Sequence, residues 1–65
     1  MPLRPATPAQ AAALRAALDH LRTARTLLRA ADSPKAHRAI VRALNSTAGA
    51  ARHCARRLAA SAAIR

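Results

Sequence analysis

The chain has 65 residues with 12 Lys/Arg against 2 Asp/Glu, a formal net charge of +10 and a pI of about 12.0. That length allows one domain with a thin core, and its single cysteine rules out an internal disulfide as the staple such a small chain needs. The charge favours polyanionic partners: nucleic acid, an anionic membrane surface or an acidic protein face.

Residues 1–6, with Pro2 and Pro5, read as a flexible N-terminal tail. Thr7-Pro8-Ala9-Gln10 then supplies an N-cap threonine, a proline at the first helical position and a glutamine at the third, the pattern of a capping box. From Pro8 to Ala31, Leu14, Ala17, Leu18, Leu21, Ala24, Leu28 and Ala31 fall on one face at helical period, which predicts a first amphipathic helix. Asp32-Ser33-Pro34 ends it, because Pro34 pushes Ser33 out of the helical region and leaves it placed to cap the next helix. A link this short makes the two helices antiparallel neighbours.

A second helix is expected over 34–63, with an apolar stripe of Ile40, Leu44, Thr47 or Ala48, Ala51, Ala55, Leu58 and Ala62. Asn45-Ser46-Thr47-Ala48-Gly49 is a run of weak helix formers and would suit a break, giving three helices and a helix-turn-helix-like unit. Phase argues for continuity: Ile40 and Leu44 share a face with Ala51, Ala55 and Leu58 only if the helix runs through. The predicted fold is therefore an all-α, two-helix antiparallel hairpin (about 8–31 and 34–63), a single domain over 7–65. Leu27, Leu28, Ile40, Val41 and Leu44 would make its best-packed end. The 52% hydrophobic content is mostly alanine, with no Phe, Trp or Tyr, so burial per residue is small. Dimerisation, or docking of a partner, would complete a four-helix bundle over an association seam of Leu14, Leu18, Leu21, Leu28, Ile40, Leu44, Ala51, Ala55 and Leu58.

The arginines form the most informative pattern. Arg15, Arg22 and Arg29 repeat every seven residues with Arg25 between the last two. Arg38, Arg42, Arg52 and Arg56 align with Asn45 and Gly49 in one stripe facing away from the apolar side. Like charges so spaced repel, and an anion laid along them relieves the repulsion. The stripe can track a phosphate backbone, with Asn45 as a polar reader. The competing reading is that any soluble amphipathic helix has a charged outer face, and that codon bias in a GC-rich genome writes that face in arginine. Without aromatic side chains there are no stacking platforms, which disfavours recognition of single-stranded bases.

His20, His37, His53 and Cys54 do not converge as metal ligands: the first two differ in distance from the turn, and the last two point about 100° apart on one helix. His37 is expected against the seam near Leu28, His53 on the polar face and Cys54 at the seam's edge. Asp19 and Asp32 are too far apart for a carboxylate pair, and no phosphate loop, nucleophile elbow or cofactor motif is present, so no catalytic role is predicted. No run of apolar residues is long enough for a transmembrane helix, and the N-terminus lacks a signal-peptide core, which together with the lone cysteine suggests the cytoplasm.

The stretch 21–58, and within it LLRAADSPKAHRAIVRALNSTAGAARHCARRL, resembles short uncharacterised basic helical proteins of phages and prophages in GC-rich bacteria. That resemblance implies a small accessory protein acting on host or phage components, and it transfers no site residues. Two functional expectations emerge. The first is a nucleic-acid-binding module, largely non-specific, using Arg38, Arg42, Asn45, Arg52 and Arg56 assisted by Arg15, Arg22, Arg25 and Arg29, and working as a homodimer. The second is a protein-interaction module, an adaptor or inhibitor, docking through the Leu/Ala seam while its arginines match an acidic protein surface.

Overall fold

The structure is a computed structural model that describes residues 5–63. Two helices, α1 (Pro8–Ala30) and α2 (Pro34–Ala63), pack against each other as an antiparallel hairpin. The capping box forms as the sequence predicts. Gln10 N donates to Thr7 Oγ1 at 3.1 Å and Thr7 N donates to Gln10 Oε1 at 3.0 Å, with Pro8 at the first helical position. Together they satisfy two backbone donors at the helix start that would otherwise have no partner.

The turn is sharper than Pro34 alone would make it. Asp32 adopts φ 53, in the left-handed region. Asp32 N donates to Arg29 O at 3.2 Å and Ser33 N donates to Leu28 O at 3.4 Å, the paired bonds of a Schellman motif with aspartate where glycine is usual. Ser33 O then accepts from His37 N at 2.9 Å, which starts α2.

α2 is one 30-residue helix, unbroken through Asn45 to Gly49. Eight of its covered residues recur at alternating steps of three and four: His37, Ile40, Leu44, Thr47, Ala51, Cys54, Leu58 and Ser61. On α1, Ala11, Leu14, Leu18, Leu21, Arg25 and Leu28 do the same, with Ala17 and Ala24 half-covered beside them. This is a heptad-like seam, in which two helices of 3.6 residues per turn keep meeting along one line. Leu44 (8% exposed) and Cys54 (3%) are its most deeply buried members.

Several expectations shift by one position. After Ala51 the seam takes the step of three to Cys54 rather than four to Ala55, so Ala55 and Ala62 are exposed while Cys54 and Ser61 lie inside. Cys54 is thus central to the seam and not at its edge. Leu27, expected in the packed end, is 64% exposed because Leu28 takes the seam position. Ala31 is exposed beyond the end of α1. At the other end Ala6, assigned to the tail, is only 7% exposed and lines a groove with Pro8, Leu58, Ser61 and Ala62. The rest of the flexible-tail expectation, residues 1–4, lies outside the described residues.

The hairpin measures 50 × 21 × 12 Å. Its thickness is that of one helix with its side chains, about 10–12 Å. It is therefore a single-layer ribbon with two broad faces, whereas domains usually close their core with a second layer.

Candidate functional site

Each broad face is set by what stands beside the seam. Arg15, Arg22 and Arg29 each follow a seam leucine by one residue, which turns them about 100° round α1 onto one flank. In an antiparallel pair that flank lies on the same side as Val41 and Ala48 of α2, with Arg38, Asn45 and Arg52 next to them on the outside. A groove at the turn confirms the shared side, because Arg29 and Arg38 line it together with Leu28 and His37. Arg29 Nε donates to His37 Nε2 across it at 3.4 Å. Arg42 and Arg56 occupy the outer edge of α2. The two arginine rows therefore share one broad face, and Arg15, Arg22, Arg29, Arg38, Arg42, Asn45, Arg52 and Arg56 are all exposed on it or along its edge.

The electrostatics of this face are those of an unneutralised cation array. Residues seven apart on one helix are separated by roughly 10 Å along the axis. The single ion pair among the described residues joins Arg22 Nη1 to Asp19 Oδ1 at 3.3 Å, with both side chains more than half exposed. Such a pair contributes at most a few tenths of a kcal/mol and leaves the remaining guanidinium groups uncompensated. Arg56 lies within 3.5 Å of His53 Nδ1, which adds no negative charge.

Arg25 departs from the expected array. It falls between Leu21 and Leu28 at a seam position and is half-buried, and its Nε is shielded without a hydrogen-bond partner. Its aliphatic stem covers the seam while the head must reach outward past it. Arg57, which has no place in the predicted stripe, is half-buried in the same way, with its Nε also unpartnered. The three-four spacing from Leu18 through Leu21 to Arg25 and Leu28 was the available signal for Arg25. Its charge made it look like a surface residue.

The opposite face is different in kind. Its groove, about 350 Å3 at the open end of the hairpin, is lined by Gln10, Ala13, Leu14, Ala50, His53, Cys54 and Arg57. Between Gln10 and Arg57 the flanks on this side are alanine: Ala17 and Ala24 on α1, Ala36, Ala43 and Ala50 on α2. His53 is half-buried here and not on the polar face. No three His, Cys, Asp or Glu side chains gather into a metal-binding group among the described residues.

The residues expected to form an association seam have another job. Leu14, Leu18, Leu21, Leu28, Ile40, Leu44, Ala51 and Leu58 are all covered, half or more, along the line where α1 meets α2. They hold the hairpin together, and all but Leu44 remain partly exposed; Ala55 lies off that line, exposed among the arginine rows. No helix among the described residues is long and apolar enough to cross a membrane. The chain matches no protein-family model, no curated protein and no solved structure, so the geometry of its two faces is what a functional reading has to rest on.

Proposed function

We propose that this chain is a non-enzymatic nucleic-acid-binding module whose arginine face tracks a phosphate backbone. One observation carries the reading: Arg15, Arg22 and Arg29 of α1 and Arg38 and Arg52 of α2 are exposed on one face of the ribbon, with Arg29 and Arg38 lining one groove. A single-sign array of this kind is held at a repulsive cost of a few tenths of a kcal/mol per close pair, and a polyanion cancels it. Two rows on a flat surface suit a duplex or a backbone better than flipped-out bases, for which aromatic platforms would be needed. Contacts go to phosphates, so binding is largely sequence-independent, with Asn45 as the one neutral polar side chain within the α2 row.

The apolar residues of the seam-docking alternative already line the contact between α1 and α2, which leaves the arginine face as the more open surface. An acidic protein surface could meet the same arginine face, and salt dependence separates the two partners. Anisotropy of a labelled duplex at several salt concentrations should give a plot of log K against log salt with a slope of roughly −4 to −6, one counterion for each phosphate engaged. No binding at low salt, or a flat response, would rule the proposal out.

A further inference from the structure

We infer that the groove at the turn is a seat for one phosphate group, held by Arg29 and Arg38 and joined by His37 as a third donor once its ring takes up a proton. The inference rests on the reading of the arginine face as a phosphate-binding surface, and it places one phosphate of that surface. The groove has a volume of about 370 Å3, at the small end of ligand pockets, which begin near about 300 Å3. It draws its donors from both helices: Arg29 from the last turn of α1, His37 and Arg38 from the start of α2. Both arginines are exposed, so an ion reaches them without the hairpin opening. Asp32 shares the groove, yet the one ion pair among the described residues joins Arg22 to Asp19, so neither groove arginine is paired with that carboxylate. The turn also fixes the walls in advance, because Asp32 N donates to Arg29 O at 3.2 Å and Ser33 N to Leu28 O at 3.4 Å. A site formed before its ligand arrives loses less affinity to ordering.

The chemistry of His37 follows from its contact with Arg29, whose Nε donates to His37 Nε2 at 3.4 Å. A guanidinium has no acceptor atom, so Nε2 must carry no proton for this bond to form. A phosphate oxygen is the stronger acceptor, because charge on both partners shortens and strengthens the bond. Its entry takes the guanidinium off the ring and frees Nε2. Once protonated, Nε2 donates to the same phosphate and makes a third charge-assisted bond. Binding therefore takes up a proton, and affinity rises as pH falls through the range in which histidine changes charge. The charged groups around His37 favour that proton only when an anion is present. Arg29 at the end of α1 and Arg38 on α2 oppose a charge on the ring, as do Arg25, one turn back along the α1 seam, and Lys35, at the start of α2. Asp32 in the turn favours it, one carboxylate against four cations. A phosphate reverses that balance.

The probe is sulfate, which has the tetrahedral oxygens of phosphate and keeps its charge across the range in which histidine titrates. The full chain is titrated with sodium sulfate at constant ionic strength, against sodium chloride, and followed by NMR of the histidine rings and arginine Nε groups. The Arg29, His37 and Arg38 signals should saturate together. Half-saturation should need roughly 10-fold less sulfate at about pH 5.5 than at about pH 8, while the His20 ring follows the chloride control. His37→Gln keeps an N–H donor but gains no proton, and should bind sulfate equally at both pH values. Arg38→Gln, at an exposed position that leaves the fold intact, should weaken sulfate by about 10-fold at either pH. Signals that never saturate, a response equal to that of chloride, or a pH gain that survives in His37→Gln would overturn the inference. Sulfate brings no nucleic acid, so this result stands apart from that of the duplex titration. Duplexes with 5′-phosphate and 5′-hydroxyl ends then identify the source of the phosphate. Tighter binding of the first, lost in Arg38→Gln, supports a strand end in the seat; equal binding, weakened alike by Arg38→Gln, supports a backbone phosphate.

Discussion

The two broad faces of the ribbon are built by the same two helices, from the same few residue types, along the same seam. They differ in which side of the seam the arginines fall. On one face arginine follows the seam leucine by one residue, at Arg15, Arg22 and Arg29. On the other, alanine precedes the seam residue Leu18 or Arg25 by one, at Ala17 and Ala24. Each step of one residue is a rotation of about 100°, so the phase between arginine and leucine decides whether the charge is spread round the hairpin or gathered on one side. A net charge of +10 is a property of composition, while a two-faced ribbon is a property of register.

Both faces depend on the seam, and the largest effect comes from breaking it. Leu44 is 8% exposed and meets α1 at mid-length. Leu44→Asp places a carboxylate there with no partner, and the expected outcome is loss of the hairpin, a destabilisation of more than about 3 kcal/mol. Circular dichroism during thermal melting reads it directly. Leu44→Ala, which leaves a cavity and no charge, should cost about 2–4 kcal/mol. Because the faces exist only while the helices are held in register, duplex binding should fall with helicity in both variants.

The next effect separates the faces. Replacing Arg22, Arg29 and Arg38 together with alanine should reduce the magnitude of the salt slope for duplex binding by about 3, at roughly 0.9 for each phosphate no longer neutralised. Arg57→Ala, on the arginine-poor side, should change it by less than about 1. Equal losses from the two variants would mean that binding follows total charge and that the division into faces carries no functional meaning.

Much of this was legible in the sequence, and the gaps have specific causes. The capping box, both helices and the continuity of α2 follow from residue types whose backbone effects are local and strong: Thr7, Pro8, Gln10 and Pro34, and the phase of Ile40 and Leu44 with Ala51. What the periodicity blurred was the choice between neighbours. Ala24 and Arg25, or Cys54 and Ala55, differ by one residue, and in an alanine-rich helix hydrophobicity alone does not say which of two adjacent positions points inward. Polarity then misled the choice, taking the arginine for surface and the alanine for seam. The faces were illegible for another reason, since they depend on how two helices align across the turn. That alignment is set by the backbone of Asp32, which carries no periodic signal.

Asp32 offers the third measurement. Its φ of 53 is one that glycine adopts freely and other residues at a cost. Asp32→Gly should therefore raise stability by about 0.5–1 kcal/mol, after allowing for the greater freedom glycine has in the unfolded chain. The gain should appear in melting temperature, and because Asp32 lines the groove of Arg29 and Arg38, loss of its carboxylate should also strengthen duplex binding at low salt. A drop in stability would mean that the aspartate side chain contributes more to the turn than its backbone conformation costs.

An effect of the same small size tests one face alone. Gly49 lies in the arginine row of α2, in ordinary helical conformation, and a methyl group added there would meet only the Nη2 of Arg52 at 3.8 Å, an undemanding contact. Gly49→Ala removes the helix-destabilising freedom of glycine and should stabilise the hairpin by about 0.5–1 kcal/mol. Duplex binding then gives the informative reading. If a phosphate backbone lies over the row between Asn45 and Arg52, as close approach at a glycine permits, the added methyl stands in its path and affinity falls although the protein is more stable. Unchanged affinity would move the backbone off this row and onto the flank of Arg15, Arg22 and Arg29, where it would follow α1 instead.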